Sequence, residues 1–205
     1  MSGDAQVRFC ESLKVRSLRA TRLVFIFQYA KDVERFYRVL PKRLNKYGLS
    51  MHEKKSQLIR SGHVAAIRAY KENKRLPTYK FLGFVCYWGK ARSGYWRLKM
   101  TSRSDRFAAK LKGLREYLWK HLNTNDQSSI LAMVIRVLRG WINYHGISDN
   151  ERRVKDFINQ SKRILLKWFN RRGRKRPMNW KRYTHILKKS GFPERWKTVS
   201  MFQHA

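Results

Sequence analysis

The sequence predicts an α+β protein, with a small strand-containing portion over residues 1–100 and an all-helical portion over residues 101–205. Short apolar runs rich in β-branched and aromatic residues lie before residue 100. After that point apolar residues recur every three or four positions, as on one face of a helix. A chain of 205 residues has room for one domain or two small ones.

In the first portion, the first recognisable element is the apolar run Leu23–Phe27, which predicts a buried strand. Residues 1–18 show no clear period. From Val33 to Tyr47 the apolar residues have helical spacing, which predicts an amphipathic helix stopped by Gly48. Pro41 lies inside this segment and predicts a kink or a local irregularity.

The rest of the first portion is predicted to be mostly strands. Short strands are expected at Leu49–Met51 and Gln57–Arg60, and a loop or hairpin insertion over residues 61–78. Tyr79–Trp88 is apolar and aromatic, and Tyr95–Met100 follows turn residues, so the two predict an antiparallel pair. Cys86 within this pair is expected to be a small core residue.

The second portion predicts several helices around one core. Ser102-x-x-Asp105 and Ser148-x-x-Glu151 are spaced as helix-starting capping boxes, and the polar stretch Asn123–Ser129 separates two helices. A short last helix is expected to end near Gly191. Core side chains are expected at helical spacing along these segments: Phe107, Leu111, Leu114, Leu118, Ile130, Leu131, Val134, Ile135, Leu138, Val154, Phe157, Ile158, Leu165, Phe169, Tyr183, Ile186 and Leu187.

The tryptophans of this portion share the spacing of the aliphatic residues. Trp119, Trp168 and Trp180 are therefore expected in the core, and Trp141 is expected to be buried with Trp168. An exposed ring such as that of Tyr144 can stack on unpaired RNA bases instead of packing in the core.

The charge is the strongest functional signal. The chain has 48 Lys and Arg against 13 Asp and Glu, a formal net charge of +35. Such an excess calls for a polyanionic partner, and 42% hydrophobic residues exclude a purely disordered basic tail. A solvated helix face normally mixes the two signs of charge, whereas acids are scarce here. We therefore expect a folded nucleic-acid-binding protein rather than a basic protein of the membrane surface.

The predicted phosphate-binding face runs from the helix that opens at Ser148 to the last helix. Arg153, Lys162 and Arg163 are expected to be exposed, and the run from Arg171 to Arg176 is expected to be a connector between helices. The candidate RNA-binding residues of this face are Arg152, Arg153, Lys155, Lys162, Arg163, Lys167, Arg171, Arg172, Arg174, Lys175, Arg176, Lys181, Arg182, Lys188 and Lys189.

Several classes of site are excluded by the residue pattern. Two cysteines, Cys10 and Cys86, cannot form a disulfide framework or a multi-cysteine zinc module. The histidines show no metal-binding spacing, so His145 and His185 are expected to be ordinary polar residues rather than ligands. No nucleophile triad is recognisable, and no catalytic residue or metal ligand is assigned. There is no N-terminal signal pattern or membrane-spanning apolar run, and a bacterial cytoplasm or an organelle is the expected location.

Three segments, in order, resemble boxes of group II intron reverse transcriptases. Gly48-Leu49-Ser50-Met51 followed by Lys55-Ser56 is similar to the family's Gly-Leu…Lys-Thr element. Lys80–Phe84 is similar to its Phe-Leu-Gly-Phe element. Leu138–Tyr144 resembles the signature of the maturase-specific region, which binds intron RNA in that family. The resemblance covers roughly residues 19–200. It implies a palm remnant over residues 1–100, and a thumb and maturase-specific region over residues 101–205.

The same resemblance implies that the polymerase site is lost. The family's Asp-Asp box, whose carboxylates hold two Mg²⁺ ions, falls on Arg19-Ala20-Thr21-Arg22, so Thr21 and Arg22 replace both aspartates. A hydroxyl and a cation do not suit a hard divalent metal. The fingers and most of the palm are also missing, as is a cysteine-rich endonuclease module. No cofactor is therefore expected.

The leading hypothesis is a maturase-like protein that binds structured group II intron RNA and favours its splicing-competent fold. Arg139, Asn143 and Tyr144, within the maturase-like box, are the candidates for shaping the specific surface. One alternative is a reverse transcriptase fragment that works with a separate polypeptide carrying fingers and palm. Others are a basic structural protein of a ribonucleoprotein and a degenerate remnant without function.

Overall fold

The computed structural model of the chain describes residues 6–14, 21–51, 56–123, 126–172 and 177–201. The chain divides into two compact units, Met1–Met100 and Thr101–Ala205. The first unit combines strands with two helices and the second is helical, so the predicted α+β class is confirmed. No helix in these described ranges is long and apolar enough to cross a membrane.

The described residues contain seven strands and six α-helices. The strands are β1 (Gln6–Lys14), β2 (Thr21–Phe27), β3 (Ser50–Met51), β4 (Ser56–Arg60), β5 (Tyr79–Phe81), β6 (Phe84–Lys90) and β7 (Trp96–Ser102). The helices are α1 (Ala30–Asn45), α2 (His63–Lys71), α3 (Ser104–Lys120), α4 (Gln127–His145), α5 (Glu151–Arg172) and α6 (Trp180–Lys189).

The strand β1 forms the centre of the first sheet, although residues 1–18 show no clear period in the sequence. It pairs antiparallel with β2, and also with β3 and β4. Val7, Phe9 and Leu13 are spaced by even numbers of residues, which is a weak form of the alternation typical of strands. Glu11, which is in phase with these three residues, interrupts that alternation.

The strand β2 and the helix α1 confirm two predicted elements, with one correction. The β2 strand is not buried as predicted, because Ile26 is 69% exposed. Its Phe25 and Phe27 rings instead pack on Phe36 of α1, with ring centroids 4.7 and 5.0 Å apart. The helix α1 runs without interruption from Ala30 to Asn45 with Pro41 inside it, and the kink expected at Pro41 stays a prediction.

The helix α2 corrects the prediction of a loop or hairpin insertion over residues 61–78. Ala65 and Ala66 are its buried residues, and Ala69 lies on the same helix. Alanine is the strongest helix former. The helix-forming tendency of these alanines outweighs the helix-breaking tendency of Gly62 and Pro77 near the two ends of the segment. The helix therefore forms although its apolar face is short.

The second sheet has the strand order β5-β6-β7. The predicted single strand Tyr79–Trp88 is broken at Leu82 and Gly83, which both have positive φ (44° and 81°) and turn β5 back on β6. Cys86 is buried opposite Tyr79, and burial raises the pKa of the Cys86 thiol to about 11. The prediction of a core cysteine is confirmed.

The second unit has one apolar core, to which four helices contribute. The residues that form it are Phe107, Leu111, Leu114, Leu118, Ile130, Leu131, Val134, Ile135, Leu138, Trp141, Ile142, Val154, Phe157, Ile158, Leu165, Trp168, Phe169, Tyr183, Leu187 and Phe192. Trp141 and Trp168 are buried, as predicted. Ile186, expected in the core, packs against it while half-buried.

The two predicted capping boxes do not form as expected. The N-cap position of α3 is Arg103, whose side chain makes no capping hydrogen bond, and Ser102 is buried. Ser148 begins a short 3₁₀ turn, and α5 starts only at Glu151. Both serines are used in a polar joint between α4 and α5, which we call the Asn150 joint.

The Asn150 joint consists of Ser102, His145, Asn150 and the backbone around Gly146 and Val199. Asn150 Nδ2 donates to the His145 carbonyl at 2.9 Å. The Val199 N–H donates to the Gly146 carbonyl at 2.9 Å, and the Ser148 N–H donates to the Val199 carbonyl at 3.1 Å. A Cβ at Gly146 would lie 2.5 Å from the Ile142 carbonyl oxygen, so glycine is required where α4 ends.

Candidate nucleic-acid interface

The long helix α5 separates apolar and cationic residues onto different faces. Val154, Phe157 and Leu165 are completely buried in the core of the second unit. The cations on the other side of the helix are exposed: Arg152, Lys155, Arg163, Lys167 and Arg171. Arg152, Arg163 and Lys167 lie 11 and 4 residues apart in turn, which aligns them along one side of an α-helix. This side can follow a line of phosphates.

The last helix, α6, continues the cationic surface. Tyr183 and Leu187 are buried and fix the orientation of the helix, and the Asn179 side chain caps its start by accepting from the Arg182 N–H at 2.8 Å. Its sequence contains no acidic residue. Its cations are all exposed: Lys181, Arg182, Lys188 and Lys189.

Lys162 is a correction to the predicted exposed face. It is half-buried, and its Nζ lies 2.6 Å from Glu194 Oε1 and 5.6 Å from the Phe192 ring centroid. The hydrogen bond from Lys162 lowers the pKa of Glu194. Lys162 therefore joins α5 to the segment after α6 and is not available as a simple phosphate ligand.

Arg153 is the second correction, for a similar reason. It is half-buried, its guanidinium lies 5.3 Å from the Phe107 ring centroid, and it donates to Ser104 Oγ at 3.2 Å. Phe107 and Ser104 belong to α3, so Arg153 binds α5 to α3. By contrast Arg163 is exposed, as predicted.

The predicted connector Arg171–Arg176 is in part a helix. Arg171 and Arg172 are the last two residues of α5, and the guanidinium of Arg171 lies 5.2 Å from the ring centroid of Trp119 on α3. Arg171 thus has a packing role that a free connector would not give it. Arg174, Lys175 and Arg176 lie outside the described residues.

The segment Leu138–Tyr144, whose sequence was compared above with the maturase-specific signature, forms the C-terminal turns of α4. Trp141 and Ile142 are buried, whereas the three candidate residues Arg139, Asn143 and Tyr144 are exposed. Arg139 Nη2 lies 3.4 Å from the Gly191 carbonyl. One segment of the sequence therefore supplies both core and surface.

A groove beside this segment adds two cations that sequence patterns do not identify. Arg139 and Asn143 line it together with Arg195, Trp196 and Lys197, and it encloses about 590 Å³. Arg195 and Lys197 come after the last predicted helix, where no periodicity places them. The structure brings them beside α4, so the cationic surface of the second unit is larger than predicted.

His145 is a structural residue in this arrangement. Its ring is buried, and burial lowers its pKa to about 4. Ser102 Oγ accepts from Asn150 Nδ2 at 2.7 Å and lies within hydrogen-bond distance, 3.2 Å, of His145 Nδ1. The lowered pKa keeps the His145 ring neutral at about pH 7.

The structure offers no evident metal site in the ranges it describes, where no three His, Cys, Asp or Glu side chains lie together. Thr21 and Arg22, which stand at the family's Asp-Asp position by resemblance, are the first two residues of β2. Arg19 and Ala20 are outside the described residues. A hydroxyl and a guanidinium do not fit Mg²⁺, and we derive no chemistry through that ion.

Two tryptophans correct the prediction that all rings at helical spacing are core. Trp119 is 62% exposed and Trp180 is 53% exposed. Each has cationic neighbours along the chain, Lys120 and Lys181 respectively. Exposed aromatic rings among cations are typical of surfaces that bind unpaired nucleic-acid bases.

Comparison with known proteins adds no relative: no protein-family model matches the chain, and no curated protein matches it.

Proposed function

We propose that this protein is a maturase-like RNA-binding protein that binds structured group II intron RNA and favours its splicing-competent fold. The observation that carries the proposal is the exposed cationic surface of α5 and α6. This surface lies on helices whose opposite faces form a continuous core, so the cations are held by a rigid scaffold.

The electrostatics favour a nucleic acid over a merely solvated surface. Lys112 and Glu116 on α3 form an i,i+4 ion pair at 3.8 Å, which is the ordinary way a solvated helix balances its charge. The α6 helix has no acid for such pairs. Closely spaced cations repel one another, and phosphates that replace their counterions relieve this repulsion.

The resemblance supports intron RNA as the partner within the class of nucleic acids. The maturase-like segment exposes Arg139, Asn143 and Tyr144, which can contact RNA, while Trp141 fixes the helix from the core side. Cations alone bind any polyanion, so discrimination has to come from RNA shape and unpaired bases.

The mechanism that follows is a shift between RNA conformations. The RNA performs the splicing chemistry, and the protein binds one fold of the RNA more tightly than the others. The equilibrium between folds moves only by the difference in the two binding free energies. The protein needs no catalytic residue for this role.

The test is competition binding across a salt series. The full chain is mixed with labelled group II intron RNA, and three competitors are compared: unlabelled intron RNA, a scrambled RNA of the same length, and duplex DNA. We expect intron RNA to compete best at physiological salt, and the affinity to fall steeply as salt rises. Equal competition by scrambled RNA would refute the maturase proposal and leave a general polyanion binder.

Splicing provides a second readout. At an Mg²⁺ concentration at which the intron RNA alone splices slowly, the protein should raise the splicing rate in proportion to the fraction of RNA bound. Binding without any rise would contradict the proposed role in RNA folding.

A further inference from the structure

A groove between the end of α3 and the second half of α5 is independent of the maturase-like segment. Its base is apolar, with Leu118 and Trp168 buried and Ile164 half-buried. Trp119 forms one side with most of its ring exposed. The groove encloses about 370 Å³, which is within the size range of small-molecule sites.

The rim of this groove is cationic. Arg115, Lys120, Lys167 and Arg171 line it and are all exposed. Of the described residues that line the groove, one is acidic, Glu116, and its carboxylate lies 3.8 Å from Lys112 Nζ. An apolar base with a positive rim is complementary to a molecule with a flat apolar face and negative groups at its edges.

The ring of Trp119 is not part of the apolar core, to which its neighbour Leu118 belongs. It is nevertheless held in place, because the Arg171 guanidinium lies 5.2 Å from its centroid. Because Arg171 lies over one face of the ring, a base can stack on the other face, and such base–aromatic stacking adds favourable free energy.

We propose that this groove binds an unpaired RNA nucleotide, with its base stacked on Trp119 and the adjacent phosphates on the cations of the rim. An unpaired base offers a free π-face, whereas the bases of a duplex are stacked on each other. This inference rests on the proposed function, since it assumes that RNA is the partner. It adds a contact to single-stranded RNA that the resemblance does not assign.

The experiment measures binding of the full chain to single-stranded RNA of about ten nucleotides, a length near the site size of single-strand binders. The probes are an oligonucleotide with all its bases, the same backbone with abasic positions, and an RNA duplex of equal charge. The variants are Trp119→Ala and Trp119→Phe. Tyr95→Ala is the matched control, because that ring is 71% exposed, lies outside the groove and belongs to no surface assigned to RNA.

We expect Trp119→Ala to weaken binding of the oligonucleotide about 10- to 100-fold, and Trp119→Phe to retain most of the affinity. Abasic RNA and the duplex should bind equally well to the wild type and to Trp119→Ala. The slope of affinity against salt should not change, because no phosphate contact is lost. Tyr95→Ala should bind the oligonucleotide like the wild type.

An equal loss on abasic RNA, an equal loss on the duplex, or no loss on the oligonucleotide would overturn the proposal. The proposal would also be overturned if the chain self-associated in the absence of RNA and Trp119→Ala abolished this self-association. A second copy of the chain would then fill the groove. Circular dichroism melting shows whether Trp119→Ala retains the fold. If it does not, the wild type carries the test, because it should bind the oligonucleotide with bases more tightly than the abasic one.

The two proposals can fail separately. If scrambled RNA competes as well as intron RNA while the difference between based and abasic RNA persists, the maturase proposal fails and the groove stands. If intron RNA is preferred but Trp119→Ala has no effect on the oligonucleotide, the groove proposal alone fails.

Discussion

Asn150 holds Ser102 at two points: its Oδ1 accepts from the Ser102 N–H at 2.8 Å, and its Nδ2 donates to Ser102 Oγ at 2.7 Å. Both residues are 1% exposed. Buried polar groups are costly unless each one has a partner, and here each residue satisfies the other. The pair fixes the chain at the start of the helical unit.

The first prediction concerns the stability that this pair provides. Asn150→Ala should lower the free energy of unfolding by about 2–4 kcal/mol, because it leaves the Ser102 N–H and the His145 carbonyl buried without this partner. Urea unfolding measures the loss. Asn143→Ala is the matched control on an exposed asparagine, and it should change stability by less than about 0.5 kcal/mol. Similar losses in both variants would contradict the role of the joint.

The second prediction concerns pH. Burial lowers the pKa of His145 from 6.5 to about 4, so the unfolded chain binds its proton more readily than the folded chain. The full stability contributed by the neutral ring is present above pH 6.5. It declines as the pH falls from 6.5 towards 4 and then levels off, by up to about 3 kcal/mol in total.

Urea unfolding at a series of pH values between about pH 7 and about pH 4 measures this slope. His145→Gln should flatten it, and the exposed His185→Gln should leave it unchanged. A slope that survives His145→Gln would assign the pH dependence to other groups.

The third prediction contrasts two tryptophans. Trp168 is 3% exposed, so Trp168→Ala should cost about 3–5 kcal/mol of stability through the cavity it leaves. Trp119→Ala should cost less than about 1 kcal/mol, because most of that ring is in solvent. Chemical denaturation compares the two. A loss below about 1 kcal/mol for Trp168→Ala would show that this ring is not a core residue.

The fourth prediction separates cations that are free to bind phosphate from one that is paired. Replacing Arg163 and Lys167 together with Gln should reduce the slope of log affinity against log salt by about 1 to 2 units. Lys162→Gln should change that slope little and lower stability instead, because it breaks the bond to Glu194. Filter binding over a salt series gives the slopes. An equal effect of Lys162→Gln would contradict the assignment.

The fifth prediction concerns polymerase chemistry. The purified chain should not extend a primer on an RNA template with Mg²⁺ or Mn²⁺, because Thr21 and Arg22 stand where the resemblance implies two metal-binding aspartates. Extension above a heat-killed sample would support the alternative of a polymerase fragment.

Helical periodicity predicts the core of the second unit well, because a residue on the apolar stripe has to be covered. Trp168 is three residues from Leu165 and stays on the stripe, and it is buried. Trp119 directly follows Leu118 and is turned about 100° away from it, so it leaves the core. Trp180 is the first residue of α6, where the stripe has only just begun.

Other features depend on contacts between distant parts of the sequence, which local patterns do not contain. Helical spacing sets Lys162 at the edge of the apolar stripe, four residues after Ile158, but its partner Glu194 is 32 residues away and no local pattern identifies it. Arg195 and Lys197 join the groove beside Arg139 only through the fold. The sequence therefore predicts that the surface is basic, but not which cations the fold itself uses.

The Asn150 joint has a consequence for how the chain is made. Synthesis runs from the N-terminus, and Ser102, His145 and Asn150 leave the ribosome well before Val199 does. Until Val199 is synthesised, the Gly146 carbonyl and the Ser148 N–H lack the hydrogen bonds that they make to its backbone. Both groups are then exposed to water or to other chains. The helical unit can thus begin to fold early, but its joint closes only when one of the last described segments has arrived. A ribosome that stalls before that point would hold a nearly complete helical unit with an open joint.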